Sequence, residues 1–175
     1  ASAKQIEYIN RIVGNRFDYI LTTNYSYEIE CSLRRVKALK ESQIISMQNF
    51  HFTEHAQTKY LVNTFNLVER QERNIEVWHI HGEARKPGSM IIGHEYYGTL
   101  IHKCSQYIDG VAETQNRKLR NNKPIPMNSW VDLLLYGDVY ILGFGMNVAE
   151  SDIWWLLSKR ARNVHRGKMV YLEPA

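Results

Sequence analysis

The stretch "WHIHGE", residues 78–83, sets His79 and His81 on either side of one isoleucine and closes with Gly82. An imidazole titrates near neutrality, so such a pair can hold a metal or supply one general base beside a ligand. Two positions apart on a strand, the rings project to one face, where they can also be ordinary core. "HFTEH" adds His51 and His55 at i, i+4 spacing, with His94 further along, so a histidine-ligated metal hydrolase is one reading. That segment lacks the intervening carboxylate of H-E-x-x-H, and the expectation is therefore no metal site.

Two further stretches carry polar or glycine-rich chemistry. In "TTN", Thr22, Thr23 and Asn24 follow the apolar run "YIL". Polar groups there are costly unless they meet a ligand or cap a helix, and Asn24 suits either role. In "GFGMN", Gly143 and Gly145 let backbone N–H groups approach a ligand without Cβ obstruction, with Phe144 and Met146 beside them. The stretch lacks the third glycine of G-x-G-x-x-G. Asp152 follows near the start of the next helix, where a carboxylate caps amides or takes a ribose hydroxyl.

The elements that must position these stretches follow from periodicity. "AKQIEYINRIV" has helical spacing at Ile6, Ile9 and Val13 and ends at Gly14-Asn15. "FDYILTTN" is a short buried strand, and "YSYEIECSLRRVKAL" a helix with Tyr25, Ile29, Leu33 and Val36 on one side. Residues 40–60 are irregular with one short helix, and "YLVNTFNLVER" is a loosely alternating strand. "IEVWHI" is a strand ended by Gly82, "MIIG" another, and "YYGTLIHKCSQYI" a helix. "AETQNRKLRNNKPIP" is polar, basic and expected as a mobile excursion. "SWVDLLLYG" is a helix with Ser129 as N-cap; "DVYILGFG", "AESDIWWLLSKRAR" and "KMVYLE" follow as strand, helix and strand. In the helix "ESDIWWLLSKRAR" we expect Ile153, Trp154, Leu156 and Leu157 to pack on the sheet beside "VYILGF". The alternation predicts an α/β fold with a parallel sheet covered by helices, all three stretches lying at strand carboxyl ends, where such sheets bind ligands.

Composition bounds the rest. The chain has 175 residues, 44% of them hydrophobic, and suits one domain, 1–175. No run approaches the ~20 apolar residues of a membrane span. A net charge of +4 is no nucleic-acid signature, although phosphates remain plausible partners. Basic clusters at residues 34–40, 117–123 and 159–168 read as solvated faces. Two cysteines, Cys31 and Cys104, suggest buried thiols in a reducing, cytoplasmic setting.

Taken together, "YILTTNYSYEIE", "WHIHGE", "IIGHEYYG", "SWVDLLLYGDVYILGFGMN" and "ESDIWWLL" resemble bacterial SIR2-like (sirtuin-like) domain proteins, in order and spacing, from about Phe17 to Glu173. Many members of that family are NAD⁺ hydrolases of antiphage defence, often fused to other domains. The resemblance implies a Rossmann-type sheet holding NAD⁺. It matches Asn24 to the asparagine that positions the reacting water and His81 to the catalytic histidine, and it matches Gly143 to Met146 to the loop at the adenosine side. Thr22, Thr23 and Asp152 are the remaining candidate contacts to NAD⁺, and His79 becomes support or core.

Three family features are missing. The first strand with its G-x-G-x-S-like loop has no counterpart, leaving the fold incomplete at its N-terminal Gly-rich unit and the chain a fragment or a degenerate copy. Ser26 replaces the aspartate of N-Y-D, and no zinc ribbon is present. Two readings follow. One is an NAD⁺ glycohydrolase releasing nicotinamide and ADP-ribose. The other is a non-catalytic module that senses NAD⁺ or ADP-ribose and controls a partner, either a fused effector domain or another copy of the chain.

Overall fold

The computed structural model describes residues 2–13, 17–50, 60, 62–70, 73–145 and 147–172. His51, His55, Gly14-Asn15 and Met146 lie outside them, so the readings placed on those residues do too. The chain divides into two compact units, Ala1–Met90 and Ile91–Ala175, each described by itself.

The first unit runs α1 (Ala3–Val13), β1 (Tyr19–Thr22), α2 (Glu28–Leu33), α3 (Glu41–Met47), β2 (Gln48–Phe50), β3 (Thr64–Arg70) and β4 (Arg73–His79). Its four strands form one sheet in the order β1-β4-β3-β2. Among the described residues of this sheet, β1 and β4 are its one parallel pair, with Tyr19 opposite Glu76 and Thr22 opposite His79; β3 runs antiparallel to both β4 and β2. The sheet is therefore mixed, which corrects the expectation of a wholly parallel one. Two residues separate Arg70 from Arg73, which pair with each other, and a parallel connection needs a crossover of a dozen residues or more.

Side chains alternate along β4, so Ile75 and Val77 enter one cluster with Leu33 of α2, Ile44 and Met47 of α3, and Val68 of β3. Trp78 points the other way and stacks against Phe65 at 5.0 Å between ring centroids. α2 is shorter than its apolar spacing suggests. Arg35 takes φ 57°, and the amides of Arg35 and Val36 donate to the carbonyls of Ser32 and Cys31. This is a Schellman closure with arginine where glycine is usual, so no composition signal marks it.

The second unit holds α4 (His94–Arg120), α5 (Trp130–Tyr136), β5 (Val139–Leu142), α6 (Ser151–Ala161) and β6 (Met169–Leu172). β5 and β6 pair in parallel as a two-stranded sheet. Ser129 caps α5 as its position implies, its Oγ accepting from Val131 N at 3.0 Å. "MIIG" is not a strand: it leads from a single 3₁₀ turn, Pro87–Ser89, to α4. α4 runs on to Arg120, through most of the segment expected as a mobile excursion. Gln115 explains why. It is buried and donates to Asp132 Oδ1 at 2.7 Å, while the Tyr136 hydroxyl donates to its carbonyl oxygen at 2.8 Å. Burial pushes the Asp132 carboxyl up, and hydrogen bonds from Tyr107, Gln115 and the Asn128 amide oppose that shift.

α6 packs chiefly on α5 and α4, with Ile153 and Leu156 buried. Trp154 is 42% exposed, which corrects the expectation that it is buried; its Nε1 donates to the Asn147 carbonyl at 3.2 Å. Arg160 corrects the solvated reading of its basic cluster. It is buried, and its guanidinium donates to the carbonyls of Leu134, Gly137, Gly167 and Lys168 at 2.5, 3.0, 2.7 and 2.8 Å. Both cysteines are buried free thiols, and burial together with the Asp152 charge pushes the Cys104 thiol up. Among the described residues no helix is long and apolar enough to cross a membrane.

Candidate functional site

The parallel pairing of β1 with β4 brings "TTN" and "HIHG" together, because Thr22 and His79 end their strands side by side. The amide of Ile80 continues the ladder, donating to the Thr22 carbonyl at 3.0 Å. Thr22 is buried, and its Oγ1 accepts from the Asn24 amide at 3.1 Å. Thr23 is half-buried and Asn24 is exposed. Asn24 does not cap α2, which starts four residues later after Tyr27.

His79 shares its face of β4 with Ile75 and Val77, and so points toward α2. Its Nε2 lies 2.7 Å from Glu30 Oε1, and its Nδ1 lies 2.8 Å from the Asn24 carbonyl oxygen. Both ring nitrogens are thus engaged. Glu30 is fully buried, and its Oε1 also accepts from Asn66 Nδ2 at 2.9 Å. Its Oε2 has no hydrogen-bond partner among the described residues. Burial alone would depress the His79 imidazole. The hydrogen bond and charge of Glu30, with help from the Asn24 carbonyl and Glu83, outweigh it and raise the net value above the ordinary 6.5.

His81 is not on the strand, as an unbroken alternation would have it. β4 ends at His79, and the Gly82 amide donates back to the His79 carbonyl at 3.0 Å, closing a turn that carries His81. The turn requires glycine on two counts. Gly82 has φ 93°, and a Cβ there would sit 2.3 Å from the Ser89 carbonyl oxygen. His81 itself is 2% exposed.

Just beyond, Glu83 is buried, its Oε2 accepting from the Tyr27 hydroxyl at 3.1 Å and its Oε1 from Gln48 Nε2 at 2.5 Å. Burial, followed by the Glu83 charge, pushes the Tyr27 phenol up. The Tyr27 ring also meets His79 edge-on at 5.4 Å. Thr64, Phe65, Asn66, Val77, His79 and Glu83 line a narrow crevice with no room for a water molecule. Glu30, Asn66 and Glu83 were not legible as site residues. Glu30 and Glu28 are similar helix carboxylates in sequence, and only the fold buries the former.

"GFGMN" belongs to the second unit, between β5 and α6, as its position in the sequence implies. Gly143 takes φ 62°, and a Cβ on either Gly143 or Gly145 would meet nothing within 4 Å. The loop is tied at Phe144, whose carbonyl accepts from the Tyr171 hydroxyl at 3.0 Å. Asp152, in the first turn of α6, is fully buried. Among the described residues no group of three or more histidines, cysteines, aspartates or glutamates is arranged to hold a metal ion.

A family model described as SIR2-like domain matches residues 18–161, which supports the resemblance read from the motifs. No curated protein and no solved structure matches the chain.

Proposed function

The chain belongs to the SIR2-like domain family, whose members are generally associated with NAD, and on that premise we propose that it binds NAD⁺ and hydrolyses it to nicotinamide and ADP-ribose. The observation that carries this reading is the convergence of Asn24 and the His81 turn at the ends of two paired parallel strands. Breaking the bond from ribose C1′ to nicotinamide releases a neutral molecule from a cationic ring, so no acid need protonate the leaving group. Water then adds at C1′ and surrenders one proton to a base. General-base catalysis of this kind contributes ~10²–10⁴-fold. His81 is assigned as the base and the Asn24 carboxamide as the group that orients water and ribose.

Thr22 and Thr23 shape the strand end beside Asn24. Gly143, Phe144, Gly145 and Met146 are assigned to the adenosine side of NAD⁺, and the open space over both glycines suits close approach of a ligand to backbone amides. Asp152 would take part only from beneath, because it is fully buried. His81 is covered as well, so NAD⁺ reaches it only if the polypeptide over it moves. By family likeness the biological role we assign is NAD⁺ depletion in antiphage defence.

The cover over His81, together with Ser26 in place of aspartate, favours a second reading: binding of NAD⁺ or ADP-ribose without turnover, to control a partner. Nicotinamide release from NAD⁺, measured beside calorimetric binding of NAD⁺ and ADP-ribose, separates the two. Release that disappears in His81→Ala and Asn24→Ala supports hydrolysis. Binding with no release supports sensing, and neither release nor binding contradicts both.

A further inference from the structure

The two contacts of the His79 ring pose a problem of proton count. Nδ1 faces the Asn24 carbonyl at 2.8 Å, and a carbonyl oxygen only accepts. Nε2 faces Glu30 Oε1 at 2.7 Å, an oxygen that already accepts from Asn66. A neutral imidazole has one N–H, so it satisfies both contacts only if Glu30 carries the second proton and donates it to Nε2. With Glu30 ionised, both ring nitrogens must donate.

The surroundings favour the ionised pair. An imidazolium donating from Nδ1 to the Asn24 carbonyl and from Nε2 to Glu30 satisfies both contacts, and it compensates a carboxylate whose Oε1 also accepts from Asn66. Among the described residues the other titratable groups facing His79 are Tyr27, edge-on to the ring just ahead of α2, and Glu83, just past β4. Neither adds a positive charge that would disfavour the cation.

We propose that His79 is a positioning residue, a buried imidazolium that grips Asn24 by its backbone carbonyl and is itself held by the Glu30 carboxylate. Thr22 Oγ1 holds the Asn24 amide from the other side, so the peptide flanks of Asn24 are fixed at both ends while the residue itself is exposed. The grip rests on the assignment of Asn24 to the proposed NAD⁺ site, and it makes that site sensitive to pH. Loss of the Nε2 proton at rising pH removes the charge that Glu30 holds and loosens the ring that fixes Asn24.

The test begins with the histidine ring nitrogens of the whole 175-residue chain, observed by long-range ¹H–¹⁵N correlation, His79 being assigned by its loss in His79→Gln. At neutral pH both His79 nitrogens should show the imidazolium signature. A neutral tautomer with one N–H overturns the proposal, and this arm needs no turnover. The second arm is Glu30→Gln, nearly isosteric. Its kcat for nicotinamide release should fall by about tenfold to a hundredfold near neutrality, with KM little changed and a smaller loss toward pH 9 or so, where the wild-type ring also gives up its Nε2 proton. A loss equal at every pH overturns the pH-linked grip. A wild-type chain that shows the imidazolium but releases no nicotinamide contradicts the hydrolase reading and leaves the buried cation demonstrated.

Discussion

The strand ends of the first unit and the glycine loop of the second solve opposite problems. Around His79 and Glu30 every candidate group except Asn24 and Thr23 is buried, and carboxylate, imidazole, carboxamide and backbone carbonyl are tied into one network. Around Gly143 and Gly145 the described chain is open, and the anchor lies at the other end of β5, where Arg160 gathers carbonyls of α5, the α5–β5 turn and the α6–β6 connection. The difference teaches that a buried polar network fixes side chains for chemistry, while a scaffold anchored at a distance leaves backbone amides free for a ligand. The first arrangement is expensive to disturb at the site itself; the second is expensive to disturb only at its anchor.

The largest test strikes that anchor. Arg160→Ala leaves four carbonyls without their donor, one buried and three half-buried, and we expect a loss of about 3–4 kcal/mol in urea unfolding, enough to unfold a marginal unit. A soluble variant with an unchanged transition would mean that the anchor is not needed. At the turn of the first unit, Gly82→Ala forces a Cβ against the Ser89 backbone at positive φ, for an expected cost of about 2–3 kcal/mol by the same measurement. A neutral outcome would show that the 86–90 loop gives way and that the turn is not tightly specified.

A smaller effect depends on pH. The His79 imidazole is raised above its ordinary 6.5 in the folded chain, so its contribution is complete below that value and is lost as pH rises through the folded value. The melting temperature of the wild type should exceed that of Glu30→Gln by most near pH 6, and the gap should narrow toward pH 9 or so. A gap that widens with pH would contradict the sign of the shift. The smallest effect is Trp154→Ala. An exposed tryptophan with one hydrogen bond should cost less than about 1 kcal/mol, whereas a buried one costs ~3–5 kcal/mol.

Much of the fold was legible because its elements carry local signals. β1 and β4 are apolar runs, α1 has its stripe, and α5 announces itself with Ser129. Where the fold uses polar groups as core, the sequence misled. Leu100, Cys104, Tyr107, Val111 and Gln115 form a stripe at helical spacing, but it ends in a glutamine, so α4 looked finished long before Arg120. Arg160 and Trp154 exchange their expected places for the same reason: an arginine with four carbonyls is a core residue, and a tryptophan near a helix start needs only one. At the proposed site, Gly82 marks the turn that carries His81, and Asn24 follows the apolar run of β1, so the positions of both were legible. The hydrogen-bond partners Glu30, Glu83 and Asn66 came into view only once α2, the loop after β4 and strand β3 were brought together by the fold, which no spacing within one segment encodes.

The central claim is hydrolysis of NAD⁺ with His81 as base, and nicotinamide release by the purified chain and by His81→Ala tests it most directly. The account predicts release by the wild type and its loss, by at least about a hundredfold, in a variant whose circular dichroism and melting are those of a folded protein. Release that persists in folded His81→Ala, or a wild type that releases none, would contradict it.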